Sequence, residues 1–142
     1  KADPEKFEQE IRSTGFYKNK AKNIIASAEK IISEFDGRVP KEMEALLTLP
    51  GVARKTANII LTHAYGKVEG IAVDTHVKRV SGRLGLTDHT DPVKIEKDLM
   101  RLFDRKKWGK ISNILIDHGR TVCNARKPDC ENCKLRKVCG ME

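Results

Sequence analysis

The segment LPGVARKTA, residues 49–57, decides how this chain folds. Pro50 and Gly51 end a short helix that opens at Pro40, because proline cannot continue a helix and a Pro-Gly pair favours a turn. A second helix follows from about Lys55. Its N-terminus presents free backbone N–H groups that attract a phosphate, and Arg54 adds positive charge beside them. Such a contact carries no sequence information, which suits a protein that scans nucleic acid.

On both sides of this segment the chain has a helical pattern. Apolar residues recur every three or four positions from Ala21 to Phe35, and no stretch alternates convincingly with period two. Helix starts are marked by an acidic residue before proline or threonine, at Asp3-Pro4, Asp74-Thr75 and Asp91-Pro92. The pattern stops near Cys123. We therefore predict an all-α fold, with a helical domain at 1–105 that holds the hairpin at about 40–65, and a helix with a cysteine loop at 106–142.

The composition limits the classes of protein to consider. The chain has 142 residues and a formal net charge of +8, which favours an anionic partner such as nucleic acid, although charge alone fits any basic protein. No apolar run is long enough for a transmembrane helix, and the charged N-terminus does not resemble a signal peptide. We expect an intracellular protein of the cytoplasm and nucleoid, or of the nucleus in a eukaryote.

All four cysteines lie close together, at Cys123, Cys130, Cys133 and Cys139, with the spacing C-x6-C-x2-C-x5-C. Three sites fit this spacing. Two disulfides are possible but are rare inside cells. A structural zinc is possible, although such sites usually use two close cysteine pairs and only one is present. A [4Fe–4S] cluster is the third, since four thiolates on arms of unequal length suit a larger group.

These features together resemble the endonuclease III family of DNA glycosylases. Residues 49–57 look like the helix–hairpin–helix of that family, and IAVDTH at 71–76 looks like the segment that holds its aspartate. TGFYKNKA at 14–21 resembles the segment before its long helix, and the cysteine spacing matches its iron–sulfur loop. The resemblance runs from about Glu8 to Cys139. It implies a helix–hairpin–helix glycosylase core followed by a [4Fe–4S] cluster loop.

The resemblance also implies two catalytic residues. Lys55 corresponds to the nucleophilic lysine, whose amine attacks C1′ of the damaged nucleotide, displaces the base and forms a Schiff base. β-Elimination then cuts the strand on the 3′ side. The amine must first lose its proton, and Asp74 corresponds to the aspartate that accepts it or stabilises positive charge on the sugar. Without the resemblance, Asp74 is simply the N-cap of a helix and Lys55 a solvated lysine.

Several further residues are expected to contact DNA. The hairpin supplies them through its backbone and side chains, and Phe16 corresponds to the loop that fills the gap left by a flipped base. Phe16 also fits a hydrophobic staple for the helix that follows. Basic residues among the cysteines either bind phosphates or offset thiolate charge. The expected DNA-contacting residues are Phe16, Pro50, Gly51, Val52, Ala53, Arg54, Thr56 and Lys134.

The expected activity is that of a bifunctional DNA glycosylase and abasic-site lyase that removes oxidised or ring-saturated pyrimidines from double-stranded DNA. A lysine at position 55 argues against the first alternative, a monofunctional mismatch glycosylase. A non-catalytic helix–hairpin–helix DNA-binding module fits the charge and the hairpin but requires neither Asp74 nor a cluster. An electron-transfer iron–sulfur protein is the third alternative.

Two features depart from the family pattern. Ala53 stands where the hairpin usually has its second glycine, which costs stability only if that position needs a positive φ. The family's first helices have no counterpart in this chain. We therefore expect bare apolar faces on the helices at 21–35 and 56–65, covered by a preceding segment that is absent from this chain or by a partner chain.

Overall fold

The computed structural model describes residues 3–140, and within that range every regular element is a helix. The predicted all-α class is confirmed. Seven α-helices and two short 3-10 helices are present in the described residues: α1 Pro4–Glu10, α2 Tyr17–Glu34, α3 Met43–Leu47, α4 Arg54–Tyr65, α5 Thr75–Arg83, α6 Pro92–Leu102, α7 Trp108–Thr121, and the 3-10 turns Arg105–Lys107 and Arg136–Val138.

The acidic caps set where three of these helices begin. Asp3 accepts a hydrogen bond from the backbone N–H of Glu5 at 3.0 Å, and Asp91 accepts one from Lys94 at 3.0 Å. Asp74 caps α5 in the same way. The helix predicted to open at Pro40 begins later, at Met43, because Glu42 before it has an extended backbone. Proline at position 40 therefore precedes the helix rather than starting it.

Residues 1–53 and 54–142 are two compact units. In the first unit α1 packs against α2. The turn after α3 is fixed to α2, since Ser27 Oγ donates a hydrogen bond of 2.7 Å to the carbonyl of Pro50. Gly51 has φ +75°, and a Cβ there would lie 2.8 Å from Cβ of Asn23. Only glycine fits this turn, both for its backbone and for its space.

The first unit also carries an exposed apolar groove of about 480 Å³ along α1 and α2. Ile24 and Ile32 on α2 are 50% and 70% exposed. On α4, in the second unit, Ile59 is 40% exposed. These exposures agree with the expected bare faces. That a preceding segment or a partner chain covers these faces stays a prediction.

The second unit has a continuous hydrophobic core in which α5 packs against α7. Its buried members come from the loop before α5, from α5 and α6, and from α7: Ile71, Val73, Val77, Val80, Ile95, Leu99 and Leu115. Helices on both sides of residue 105 share this core. The compact units thus divide between residues 53 and 54, whereas the sequence-based domain boundary was placed between 105 and 106.

Across residues 3–140, none of the helices combines the length and the hydrophobicity that crossing a lipid bilayer requires.

Candidate active site and cysteine loop

Lys55 and Asp74 line the same cavity, whose volume is about 110 Å³. The cavity lies within the second unit, between one face of α4, the loop that leads to α5 and one side of α7. The remaining lining residues are Ile59, His63, Gly70, Ala72, Trp108, Gly109, Ser112, Asn113 and Ile116. The structure therefore brings together the two residues that the sequence predicts as nucleophile and proton acceptor.

Asp74 is held by its role as a helix cap. Its Oδ1 accepts hydrogen bonds from the backbone N–H groups of His76 and Val77, both at 2.8 Å. Within the described residues no hydrogen bond reaches Oδ2 of Asp74. One oxygen therefore fixes the carboxylate, and the other is available to a group inside the cavity.

Lys55 is the second residue of α4, and its side chain is exposed. The helix is anchored on its opposite side by Ala57, Asn58 and Leu61, which are at most 2% exposed. The flexible four-carbon side chain of Lys55 thus starts from a fixed helix turn, where it is exposed and lines the cavity. This position suits a nucleophile that must meet a large substrate.

The cavity wall includes residues that sequence reasoning missed. Ser112 on α7 donates a hydrogen bond of 2.9 Å to the carbonyl of Ala72 and fixes the loop before Asp74. Asn113 beside it is exposed and offers an amide to the cavity. Their only sequence signal was a pair of polar residues inside the apolar pattern of the last helix.

The four cysteines also share one cavity, of about 330 Å³. All four are free thiols, so the structure has neither of the two disulfides that the spacing also allowed. Between residues 3 and 140, no three His, Cys, Asp or Glu side chains are close enough together to hold a single metal ion. The four thiols line one common space, and four cysteine thiolates are a donor set used both by structural zinc and by iron–sulfur clusters.

Two arginines of α5 hold the cysteine loop. Arg83 Nη1 donates to Cys123 Sγ at 3.3 Å and to the carbonyl of Asn124 at 2.8 Å. Arg79 Nη2 donates to the carbonyl of Gly119 at 2.8 Å and, at 3.1 Å, to that of Cys123. Helix α5, which Asp74 caps, therefore also anchors the loop that carries the thiols.

Comparison with known proteins assigns the family. Residues 1–105 match the HhH-GPD superfamily of base excision DNA repair proteins. The chain belongs to this superfamily. The expected resemblance to its endonuclease III members is confirmed by close relatives, as follows.

The chain is 58% identical over 137 residues to endonuclease III of Synechocystis sp., covering 96% of the chain and 63% of that protein. It is 46% identical over 136 residues to endonuclease III of Bacillus subtilis, covering 95% and 62%. A trapped covalent endonuclease III–DNA intermediate superposes with a TM-score of 0.93 at 42% identity, covering 98% of this chain and 65% of that one. The chain thus spans somewhat less than two thirds of these relatives.

The predicted DNA-contacting residues of this HhH-GPD chain are spread over both units. Phe16 is 84% exposed and has φ +57°, a left-handed backbone that is rare for a bulky residue. Ala53 is not among the residues with positive φ, so alanine there carries no backbone strain. Arg54 directs its Nε to Glu96 at 2.5 Å, and its side chain remains 38% exposed. Lys134 is exposed in the cysteine loop.

Proposed function

We propose that this protein is a bifunctional DNA glycosylase and abasic-site lyase that acts on oxidised or ring-saturated pyrimidines in double-stranded DNA. The observation that carries the proposal is the shared cavity of Lys55 and Asp74. Membership of the superfamily of base excision repair proteins supports the reaction class. The covalent intermediate trapped for a relative with 42% identity supports a nucleophilic mechanism.

In the proposed reaction the Lys55 amine attacks C1′ of the damaged nucleotide as the bond from C1′ to the base breaks. Asp74 is the proton acceptor within the same cavity, and its unbonded Oδ2 is the atom that receives the proton. Cleavage of the C1′–O4′ bond then opens the sugar ring, with the proton held by Asp74 passing to O4′, and leaves a Schiff base between Lys55 and C1′. This Schiff base makes the neighbouring C2′ proton acidic. Its removal expels the 3′ phosphate and cuts the strand. A lysine at this position separates the proposal from a monofunctional glycosylase, which forms no covalent adduct.

The experiment is borohydride trapping. Purified protein is incubated with duplex DNA that contains thymine glycol or an abasic site, and the covalent adduct is measured after reduction. The same assay is run on the chain fused to the part of Synechocystis endonuclease III that the match does not cover. An adduct in either form that disappears in Lys55→Ala supports the proposal. Absence of an adduct in both forms, with the protein folded, overturns it.

The cysteine loop is proposed to hold a [4Fe–4S] cluster through Cys123, Cys130, Cys133 and Cys139. The support is the common cavity of about 330 Å³ and the four free thiols around it. When bound, the cluster crosslinks a loop that has almost no apolar residues of its own. Iron and sulfide analysis of anaerobically purified protein tests this proposal directly, and stoichiometric zinc in place of iron contradicts it.

The DNA interface is proposed to comprise the hairpin residues Pro50 to Arg54 with Thr56, the wedge Phe16 and Lys134. The exposed, conformationally strained Phe16 supports its role as a side chain held out for insertion, because strain of this kind is maintained where the surrounding fold requires it. Lys134 belongs to a set of exposed basic residues in the cysteine loop that suits phosphate contacts: Arg126, Lys127, Lys134, Arg136 and Lys137.

A further inference from the structure

A buried glutamate, Glu96, lies behind the wall of the Lys55 cavity. It is 3% exposed, and its neighbours on the core side of α6, Ile95 and Leu99, are fully buried. A carboxylate in such surroundings is costly unless hydrogen-bonded partners compensate it. The partners of Glu96 therefore indicate why this residue is tolerated in the core.

Both carboxylate oxygens of Glu96 are used on α4. Oε2 accepts a hydrogen bond from Arg54 Nε at 2.5 Å, and Oε1 accepts one from Asn58 Nδ2 at 2.8 Å. Residues 54 and 58 are four positions apart and lie on one face of the helix. Lys55 lies between them in sequence. A single buried side chain thus fixes the helix turn from which Lys55 projects.

Glu96 also adjoins the loop that leads to Asp74. Gly70, which lines the cavity with Lys55 and Asp74, has no side chain, and a Cβ there would collide with Oε1 of Glu96. The same Cβ would lie 2.9 Å from the amide of Asn58. The backbone of the loop is therefore pressed directly against the Glu96–Asn58 pair. Helix α4 and the Asp74 loop meet at one carboxylate.

The side-chain oxygen of Asn58 is buried without a hydrogen bond to any described residue. Among the described residues, its Oδ1 is the buried side-chain polar atom without a hydrogen-bond partner. Such atoms are rare in folded proteins and tend to occur where function constrains the structure. The amide of Asn58 is oriented to serve Glu96, at the expense of its own oxygen.

We propose that Glu96 is a positioning residue for the Schiff-base chemistry. It holds the first turn of α4 against the Gly70 loop and so keeps the Lys55 amine directed at the cavity that contains Asp74. Glu96 itself touches neither the substrate nor the reacting atoms. This inference rests on the proposed role of Lys55 as the nucleophile.

The test compares Glu96→Gln and Glu96→Ala in single-turnover borohydride trapping at saturating abasic-site DNA, in whichever form of the protein gives an adduct. Glutamine is the conservative variant, because its oxygen accepts from Arg54 and its NH2 group donates to Oδ1 of Asn58 once the Asn58 amide has turned by 180°. Ile95→Val is the matched control, since it removes one buried methyl from the adjacent position of α6. The dissociation constant for DNA is measured in parallel.

We expect the trapping rate to fall about 10-fold or more in Glu96→Ala and by a smaller factor in Glu96→Gln, with DNA affinity unchanged within about 2-fold. Ile95→Val should melt at a lower temperature and keep the wild-type rate. If both Glu96 variants trap DNA as fast as Ile95→Val, Glu96 is only structural and the inference is overturned. If the wild type itself forms no adduct, the proposed function fails, which is a separate result. Should Glu96→Ala not fold, Glu96→Gln decides alone.

Discussion

Asp74 divides its two oxygens between structure and chemistry. Oδ1 caps α5 through two backbone bonds of 2.8 Å, which restrains the carboxylate in the cavity that it shares with Lys55. From the sequence, position alone makes Asp74 a helix cap, the family resemblance makes it the catalytic aspartate, and the two roles can coexist. The geometry makes them compatible, because a cap needs only one acceptor atom.

Asparagine separates these two roles. Asp74→Asn retains an oxygen that caps the helix, so we expect the free energy of unfolding to change by less than about 0.5 kcal/mol. The amide cannot take a proton, so the trapping rate should fall by about 100-fold. Asp74→Ala should show the same loss of trapping rate and, because it also lacks the cap, a free energy of unfolding lower by about 1 kcal/mol. Chemical denaturation and single-turnover trapping measure the two effects. An Asp74→Asn protein with the wild-type rate would limit Asp74 to capping.

Phe16 tests the proposed wedge. Because its side chain is 84% exposed and its backbone is left-handed, Phe16→Gly removes strain and little packing. We expect the free energy of unfolding to change by less than about 1 kcal/mol, since surface substitutions and relief of strain are both small effects. Excision of a paired lesion should slow by about 10-fold, equivalent to roughly 1.4 kcal/mol.

Ile32→Ala is the matched control for Phe16, because Ile32 is another exposed apolar side chain of the same unit, at 70% exposure. It should leave the excision rate unchanged. Equal slowing in both variants would assign the effect to general surface hydrophobicity and contradict the wedge.

The predictability of single residues depended on whether they sit in a recognisable motif. Lys55 and Asp74 could be predicted as site residues because each lies in a segment that resembles a known family. Glu96 was not, because a glutamate in an amphipathic helix usually faces water, and no local pattern reveals that Arg54 and Gly70 will meet it from distant parts of the chain. Whether alanine at position 53 strains the backbone could be decided only from the structure, since the value of φ cannot be read from the residue type.

The loop between α5 and α6 is tied to α6 by Asp98. Thr87 Oγ1 donates to Asp98 Oδ2 at 2.6 Å, and His89 Nδ1 lies 2.8 Å from the same oxygen. The hydrogen bond from Thr87, then that from His89, lowers the pKa of Asp98 below its ordinary value of 3.8. Both contacts favour the ionised carboxylate.

This contact gives a pH dependence with a defined sign. Since the folded pKa of Asp98 is the lower one, its stabilisation is fully present above the unfolded pKa and is lost as pH falls through the folded value. Melting temperature measured from pH 7 down to about pH 3 should therefore fall more steeply in wild type than in Asp98→Asn. Parallel curves for the two proteins would show that the ionised carboxylate adds nothing.

Helices were predictable as elements because their signals are local. The acidic caps at Asp3, Asp74 and Asp91 and the three- and four-residue apolar spacing placed six of the α-helices within a few residues. The start of α3 was wrong by three positions, since proline fits both the first turn of a helix and the extended stretch before one. Only the backbone at Glu42 distinguishes these.

At the scale of the whole molecule, the second unit combines a packed helical core with a loop that depends on its thiols. Loss of the proposed cluster should affect only the latter. In Cys133→Ser we expect loss of bound iron and faster tryptic cleavage after Arg126 and Lys134, with the helical circular dichroism retained. Val138→Ser is the control, because Val138 lies in the same loop, is 71% exposed and is not a proposed ligand. Equal iron content in both variants would contradict the ligand role of Cys133.

The division into compact units could not be derived from the sequence. The sequence-based boundary lies between residues 105 and 106, before the last helix, whereas α7 packs on α5 in the hydrophobic core of the second unit. Tertiary pairing of helices depends on shape and burial over long sequence separations. The local sequence pattern indicates where each helix lies, but it does not indicate which helices pack together.

The placement of the cysteines has a consequence for how the protein matures on the ribosome. Every helix from α1 to α7 precedes Cys123 along the chain. Translation therefore delivers the whole α5 and α7 scaffold, including the Arg79 and Arg83 anchors, before any thiol emerges. Because the four thiols lie at the end of this order, a group held by all of them could be completed only after residue 139 has been added, when the anchoring arginines are already in the chain.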